Sequence, residues 1–299
     1  DIYRQYATRV ADVLGNASAG LNGTLENYFN AMQSVANDPT SIPARQLLLS
    51  AAESLVTRFH YLDNQLSDTR EEVNAQLGSM VDEVNSLSQS IADINREIVV
   101  AVGRGGGQPP NDLLDARDNL LEKLSEMVSV TAVPQDDGAI NVFIGNGQSL
   151  VTGFNAAALS VQGTPYDATQ MDIMYTVGAV SSAITSNISG GKLGGILNFR
   201  DEILDPAQNA LGRIGVVLAT DVNLQHALGM DLDGNLGGDF FTLGTPQVSN
   251  HSSNTGTGTV AASYDNATIS ALTTQDYIIS YDGAAWNLTD VDGNAVTMT

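Results

Sequence analysis

The chain has 299 residues, 42% of them hydrophobic, with no cysteine and with 34 acidic against 12 basic side chains for a formal charge of -22. So one-sided a balance repels phosphate backbones and anionic lipid, which excludes a nucleic-acid footprint and a polybasic membrane patch. The lack of cysteine removes disulfides, thiolate metal sites and a cysteine nucleophile, and no apolar run approaches the ~18 residues of a membrane span.

In chain order, the pattern first predicts two short helices, at 3–14 and 24–36, with Leu25, Tyr28, Phe29, Met32 and Val35 on one face of the second. Asn37-Asp38-Pro39 forms a turn. Next comes the most informative stretch. Leu48, Ala52, Leu55, Phe59, Leu62 and Leu66 lead through Thr69 to Val73, Leu77, Met80, Val84, Leu87, Ile91, Ile94 and Ile98. That three-four alternation describes one long helix with a narrow apolar seam. With Ser41 as N-cap and Pro43 in the first turn it spans roughly 60 residues, or ~90 Å. The four-four step at 69, 73 and 77 unwinds a left-handed supercoil locally.

The run from Gly103 through Gly105-Gly106-Gly107 to Pro109-Pro110 ends this helix. Asn111 is expected to cap the next one, which turns Leu113, Leu114, Leu120, Leu121, Leu124, Met127 and Val128 toward the long helix. From Val128 the period falls to two. Residues 130–133 and 140–144 read as a hairpin about Asp136-Asp137-Gly138, with further strands at 149–151, 159–162 and 171–177. Helix returns at 193–204 and is reset by Asp205-Pro206, after which Leu211, Ile214, Leu218 and Val222 continue an apolar face to Gly229. After Phe241 the composition turns to Thr, Ser, Gly and Asn with strand patterns such as Tyr277-Ile278-Ile279-Ser280-Tyr281. The expected class is α+β: an elongated helical-bundle rod with β-hairpins over 1–245, followed by a partial β-rich outer domain over 246–299.

No catalytic constellation can be assembled from the inventory. His60, His226 and His251 stand in unrelated settings. Gly190-Gly191-Lys192 lacks the upstream Gly and following Ser/Thr of a phosphate loop, and Gly256 to Ala261 fits a dinucleotide pattern with no helix after it. Asp231-Leu232-Asp233-Gly234-Asn235 alternates oxygen ligands like a calcium loop, but Leu236 and Thr242 stand where such a loop needs Gly and Glu, so it reads as an Asx-rich turn. Asp136-Asp137 reads as a solvated turn and Trp286 as core. No catalytic, cofactor-binding or metal residue is nominated.

Four segments carry a family resemblance: Asn27-Tyr28-Phe29-Asn30-Ala31 through Pro39 to Arg45; Asn111 to Asp118 through Leu124; Gly191 through Gly194-Gly195-Ile196-Leu197-Asn198-Phe199-Arg200-Asp201; and His226 through Asp231-Leu232-Asp233-Gly234-Asn235 to Asp239-Phe240-Phe241. In that order they resemble the flagellar hook-associated protein 1 family, the junction proteins between hook and filament. The resemblance implies a helical domain with β-hairpins and outer β domains, export through the flagellar secretion channel, an extracellular location and a mechanical role rather than catalysis. It implies as partners other copies, the hook protein, hook-associated protein 3 and an export chaperone, with no nucleic acid and no membrane. The family's apolar terminal segments have no counterpart in this sequence. The chain therefore reads as a fragment, expected to be a soluble monomer with residues 1–20 loosely ordered. Hook-associated protein 3, a flagellin-like subunit, and an adhesin with a glycan-binding β domain are the alternatives.

Overall fold

The computed structural model describes residues 2–15, 20–104, 108–291 and 293–296; Gly105, Gly106 and Gly107, expected to end the long helix, lie outside them. The chain divides into two compact units. One comprises Asp1–Asp12, Ser67–Leu204 and Ser249–Thr257, the other Val13–Leu66, Asp205–Val248 and Gly258–Thr299. The architecture is α+β, six α-helices with antiparallel sheets among the described residues.

Helix α3, Ile42–Arg104, runs for 63 residues, a contour of about 95 Å. Ser41 caps it as expected, its Oγ accepting the Ala44 N–H at 3.3 Å. The buried line along it reads Leu66, Thr69, Val73, Leu77, Met80, Val84, Ser88, Ile91, Asn95 and Ile98. Two consecutive eleven-residue steps, Leu66 to Leu77 and Leu77 to Ser88, replace heptads, and an eleven-residue repeat removes the left-handed supercoil. The drift moves the seam off the expected positions: fully buried Ser88 and Asn95 occupy it, while Leu87 and Ile94 flank it, half-buried. Ser88 satisfies its hydroxyl on the Val84 carbonyl at 2.6 Å. Asn95 faces strands.

In the first unit α1, Ile2–Gly15, is a docked helix rather than the loose segment expected of residues 1–20; residues 16–19 lie outside the described ones. Tyr6 and Val10 are buried, with the Tyr6 ring 5.2 Å from that of Phe199 and its hydroxyl 3.1 Å from Glu72, which also pairs with Arg9. Helix α4, Asn111–Met127, starts one residue earlier than a cap at Asn111 would give: Pro110 is the N-cap, its carbonyl taking the N–H groups of Leu113 and Leu114. Strands β1 (Val130–Pro134), β2 (Ile140–Ile144), β3 (Gln148–Thr152) and β4 (Asn155–Ala156) form one antiparallel sheet in sequence order. Along β2 the burial alternates, with Ile140, Val142 and Ile144 inside. A second sheet orders β5 (Ala158–Gly163), β6 (Met171–Val177) and β7 (Val180–Ala183). The two short strands β4 and β7 carry too few residues to show a period.

Asparagines on α3 hold both sheets by imitating a peptide group. Asn95 accepts the Ile140 N–H at 3.1 Å and donates to the carbonyls of Ile140 and Gly153, each at 2.8 Å. Three turns earlier Asn85 accepts from Leu159 N–H at 2.9 Å and donates to its carbonyl at 2.8 Å, and Asn74 donates to Thr169 at 2.7 Å. Arg117 of α4 adds a bond to the Gly138 carbonyl at 2.8 Å, and burial lowers its guanidinium pKa.

Helix α5, Gly191–Phe199, begins where the chain presses on the end of α4. A side chain at Gly191, φ +60, would put its Cβ 2.4 Å from the Met127 carbonyl carbon. Arg200–Leu204 is π-helical and leads into α6, Asp205–Ala227. Asp205-Pro206 therefore does not restart the helix. Pro206 brings no N–H, and the wider turn before it takes up the break in the ladder. Arg200, buried in that turn, bonds the Met171 carbonyl at 2.6 Å.

In the second unit Tyr28 of α2 (Asn22–Asn37) packs with Ala52 and Leu55 of α3, surrounded by Leu25, Met32, Phe59, Leu218, Val222, Phe240 and Phe241. Phe29 points outward, since Tyr28 and Ala31 set the buried stripe, and Ile214 is likewise exposed on α6. The Tyr28 hydroxyl has no partner among the described residues, and burial pushes its pKa up to about 12. The unfolded chain ionises first, near the usual ~10, so this group's contribution to stability is complete below that pH and lost as pH rises toward 12. Of residues 246–299, a hairpin of β8 (Tyr277–Tyr281) and β9 (Trp286–Asp290) is the regular sheet described. Asn209 and Arg213 of α6 hold the chain before it by the carbonyls of Thr274 (3.0 Å) and Leu272 (2.5 Å).

Two outcomes follow from these contacts. Replacing Asn95→Ala orphans one buried N–H and two carbonyls and costs about 3 kcal/mol in denaturant unfolding, whereas Asn74→Ala, which loses one bond, costs under ~1 kcal/mol. Gly78 and Gly191 respond to alanine with opposite signs. Gly78 lies within α3, where an added methyl group would meet nothing within 4 Å, so Gly78→Ala raises stability by about 1 kcal/mol, while Gly191→Ala lowers it by about 3 kcal/mol. Thermal melts of the two variants check both.

Candidate functional site

The C-terminal end of α6 and the loop that follows form a tightly constrained surface feature. Its last turn is closed by Gly229 N–H on the His226 carbonyl at 2.9 Å. The chain then folds back through an antiparallel bridge between Met230 and Leu236. Asp231 ties the tip together: Oδ1 accepts the N–H groups of Asp233 and Asn235, each at 2.8 Å, and Oδ2 accepts the Asn235 side-chain amide at 3.0 Å. The Asn235 side chain first, then these backbone donors, hold its carboxyl below the usual carboxylate range.

The return strand is pressed onto the helix. A Cβ at Gly237 would lie 2.0 Å from the His226 carbonyl oxygen, so only glycine fits. His226 Nδ1 meets the Gly238 carbonyl at 2.6 Å. One turn back, Asn223 accepts the N–H groups of Phe240 and Phe241 on Oδ1, both at 2.8 Å, and donates to the Phe241 carbonyl at 2.8 Å. The Phe240 and Phe241 rings then close over Tyr28, at 6.4 and 5.8 Å between centroids. With both ends held, the loop presents Leu228, Met230, Leu232 and Leu236 to solvent; Leu228 is 80% exposed and Leu236 73%.

The residues weighed for chemistry are scattered by the fold. His226 serves the loop just described, His251 stacks edge-on against Tyr166 at 4.8 Å, and His60 is exposed on α3. Gly190-Gly191 is the close approach to α4, and Lys192 pairs with Glu126 at 3.6 Å. Gly256 to Ala261 has no helix behind it. Asp137 accepts the Ala139 N–H in its turn at 3.0 Å. The Asp231 loop engages its own carboxylate, and the sequence repeats the pattern at 290–294, where Asn294 makes the same two bonds to Asp290 at 2.8 and 2.9 Å. No group of three His, Cys, Asp or Glu converges among the described residues. Trp286 is not core. It is 50% exposed and packs on Tyr281 across the hairpin at 5.0 Å, because no second layer covers β8 and β9 among the described residues.

What sequence reasoning missed is the asparagine set, Asn85, Asn95 and Asn223. Their one visible signal was polar residues placed within otherwise apolar helix faces.

Comparison with known proteins places this geometry. A family model described as the flagellar hook-associated protein FlgK helical domain matches residues 7–241. Flagellar hook-associated protein 1 of Salmonella typhimurium strain LT2 is 34% identical over 289 residues, covering 96% of this chain and 52% of that protein. The Escherichia coli K12 protein of the same name is 33% identical over the same shares. That of Bacillus subtilis strain 168 is 26% identical over 246 residues, 75% of this chain and 48% of its own. Among solved structures, the flagellar hook junction protein FlgK of Burkholderia pseudomallei superposes with a TM-score of 0.89 at 35% identity, over 99% of this chain and 54% of that one. The chain spans about half the length of these relatives. It belongs to the flagellar hook-associated protein 1 family, whose helical domain it carries.

Proposed function

We propose that this chain is the helical core of a structural subunit in the layer joining the flagellar hook to the filament, outside the cell. The observation that carries the reading is the likeness, over 99% of the chain at 35% identity, to a protein described as a hook junction protein. The role is mechanical rather than catalytic. It needs a frame that does not shear under torque, and the physics of α3 suits it: a continuous buried seam resists bending, and side-chain amides fix each hairpin to the helix so that load on a strand passes into the frame.

The partners are other copies and neighbouring axial components, the hook protein on one side and hook-associated protein 3 on the other, with an export chaperone before assembly. Residues 246–299 belong to an outer β domain whose acidic surface, without a basic residue from 214 onward, faces solvent. By itself the chain is a soluble monomer whose contacts with other copies are individually weak. A second reading rests on the exposed aromatic face of the hairpin, where Tyr277, Tyr281 and Trp286 form a surface of the kind that stacks on sugar rings.

Immunogold labelling of intact flagella with antibody to this chain tests the proposal. A narrow band at the boundary of hook and filament is expected. Label along the filament would instead make it a flagellin-like subunit, and label on the cell body would favour the aromatic surface as an adhesive one.

A further inference from the structure

We propose that the loop 228–236 is one half of a head-to-tail contact between copies of this chain, seated on the face of α3 formed by Leu47, Arg58 and Tyr61 of the next copy. The proposal rests on the assembly reading above and names the surfaces that would carry it. An apolar loop whose backbone is tied down at Asn223, His226, Gly237 and Asp231 cannot turn its leucines inward, so their exposure is built in. Such a preorganised apolar protrusion binds without an ordering cost.

Charge selects the seat. The loop carries Asp231 and Asp233, and no basic residue follows Arg213 in the chain, so a fitting surface must bring a cation with its apolar groups. On α3, Leu47, Arg58 and Tyr61 stand eleven and three residues apart, on one side of the helix. Leu47 and Tyr61 are exposed, and the Arg58 guanidinium lies 5.3 Å from the Tyr61 ring. Ser54 shares this side, and no carboxylate does between residues 47 and 61. The other exposed flank of the same segment, Ile42, Leu49 and Val56, also carries Glu53 and Asp63, which outnumber its Arg45 and repel the loop. In a head-to-tail arrangement a copy that gives its loop to one neighbour offers its own seat to another, so the contact propagates from copy to copy. A nine-residue loop is smaller than the ~20–30 residues a side of a lasting interface, so the contact is transient unless neighbours add to it.

The chain contains no cysteine, which makes paired cysteines a clean probe. Chains bearing Leu232→Cys and chains bearing Tyr61→Cys, mixed and treated with a short bismaleimide, are expected to give the 232–61 product in preference to products of either variant alone. Adding Arg58→Asp lowers the yield about fivefold, the effect of one exposed ion pair, and Asp233→Arg on the partner chain restores it. Three results each overturn the proposal: a dominant 232–232 product, equal linkage to a cysteine at Leu49, or a yield no higher than that of a Val180→Cys control. A missing crosslink with antibody still at the junction would refute this contact and leave the junction role standing. The crosslink with label elsewhere would do the reverse.

Discussion

The structure turns on a side-chain amide standing in for a peptide group. An asparagine offers one acceptor and two donors in nearly the geometry of the backbone, so on a helix it can do for a strand or loop what a neighbouring strand would. Asn95 does this for Ile140 and Gly153, Asn85 for Leu159, and Asn223 for Phe240 and Phe241. Without them the backbone groups that meet α3 and α6 would be buried and unpaired, at about 1–3 kcal/mol each. That is why Asn95, fully buried, occupies a seam position that an apolar pattern would assign to Ile94.

Apolar packing and this polar anchoring divide the work. Leucine, valine and isoleucine along α3 supply most of the burial, each worth roughly 1.5–3 kcal/mol, but that force is non-directional and would accept a sliding hairpin. The amides set register: moving β2 by one residue would break the two bonds between Asn95 and Ile140 and turn Ile140, Val142 and Ile144 outward together. The π-helical turn before Pro206 and the glycines at 191 and 237 act similarly at other joints, each fixing one backbone approach that a larger or more regular residue would spoil.

Much of this was legible in the residues. The helix from Ser41, the hairpin about Asp136-Asp137-Gly138, the strands at 149–151, 159–162 and 171–177, and the four-four step at 69 to 77 all follow local periods. The failures share a cause in tertiary contact. Leu87 gave way to Ser88 as the eleven-residue steps shifted the seam, and Ile94 to Asn95 because the surface facing it is the backbone at Ile140 and Gly153. Trp286 was expected inside because it sits in a strand-like run, yet the hairpin has no covering layer among the described residues. The exposed leucines of the 228–236 loop read as an acidic turn because its alternating aspartates dominate the sequence. Only the bonds of Asn223 and the approach of Gly237 reveal how rigidly it is held.

The central claim concerns how firmly those amides hold the hairpins and the loop. Native-state hydrogen exchange at single-residue resolution measures it directly. The N–H groups of Ile140, Leu159 and Phe241 are expected to exchange as slowly as those of the buried turns of α3 around Leu77, although each donates to a side chain rather than to a strand. Exchange at the rate of the exposed stretch around Gly256 and Gly258 would mean that the hairpins and the loop are held by apolar contact alone, and would contradict the claim.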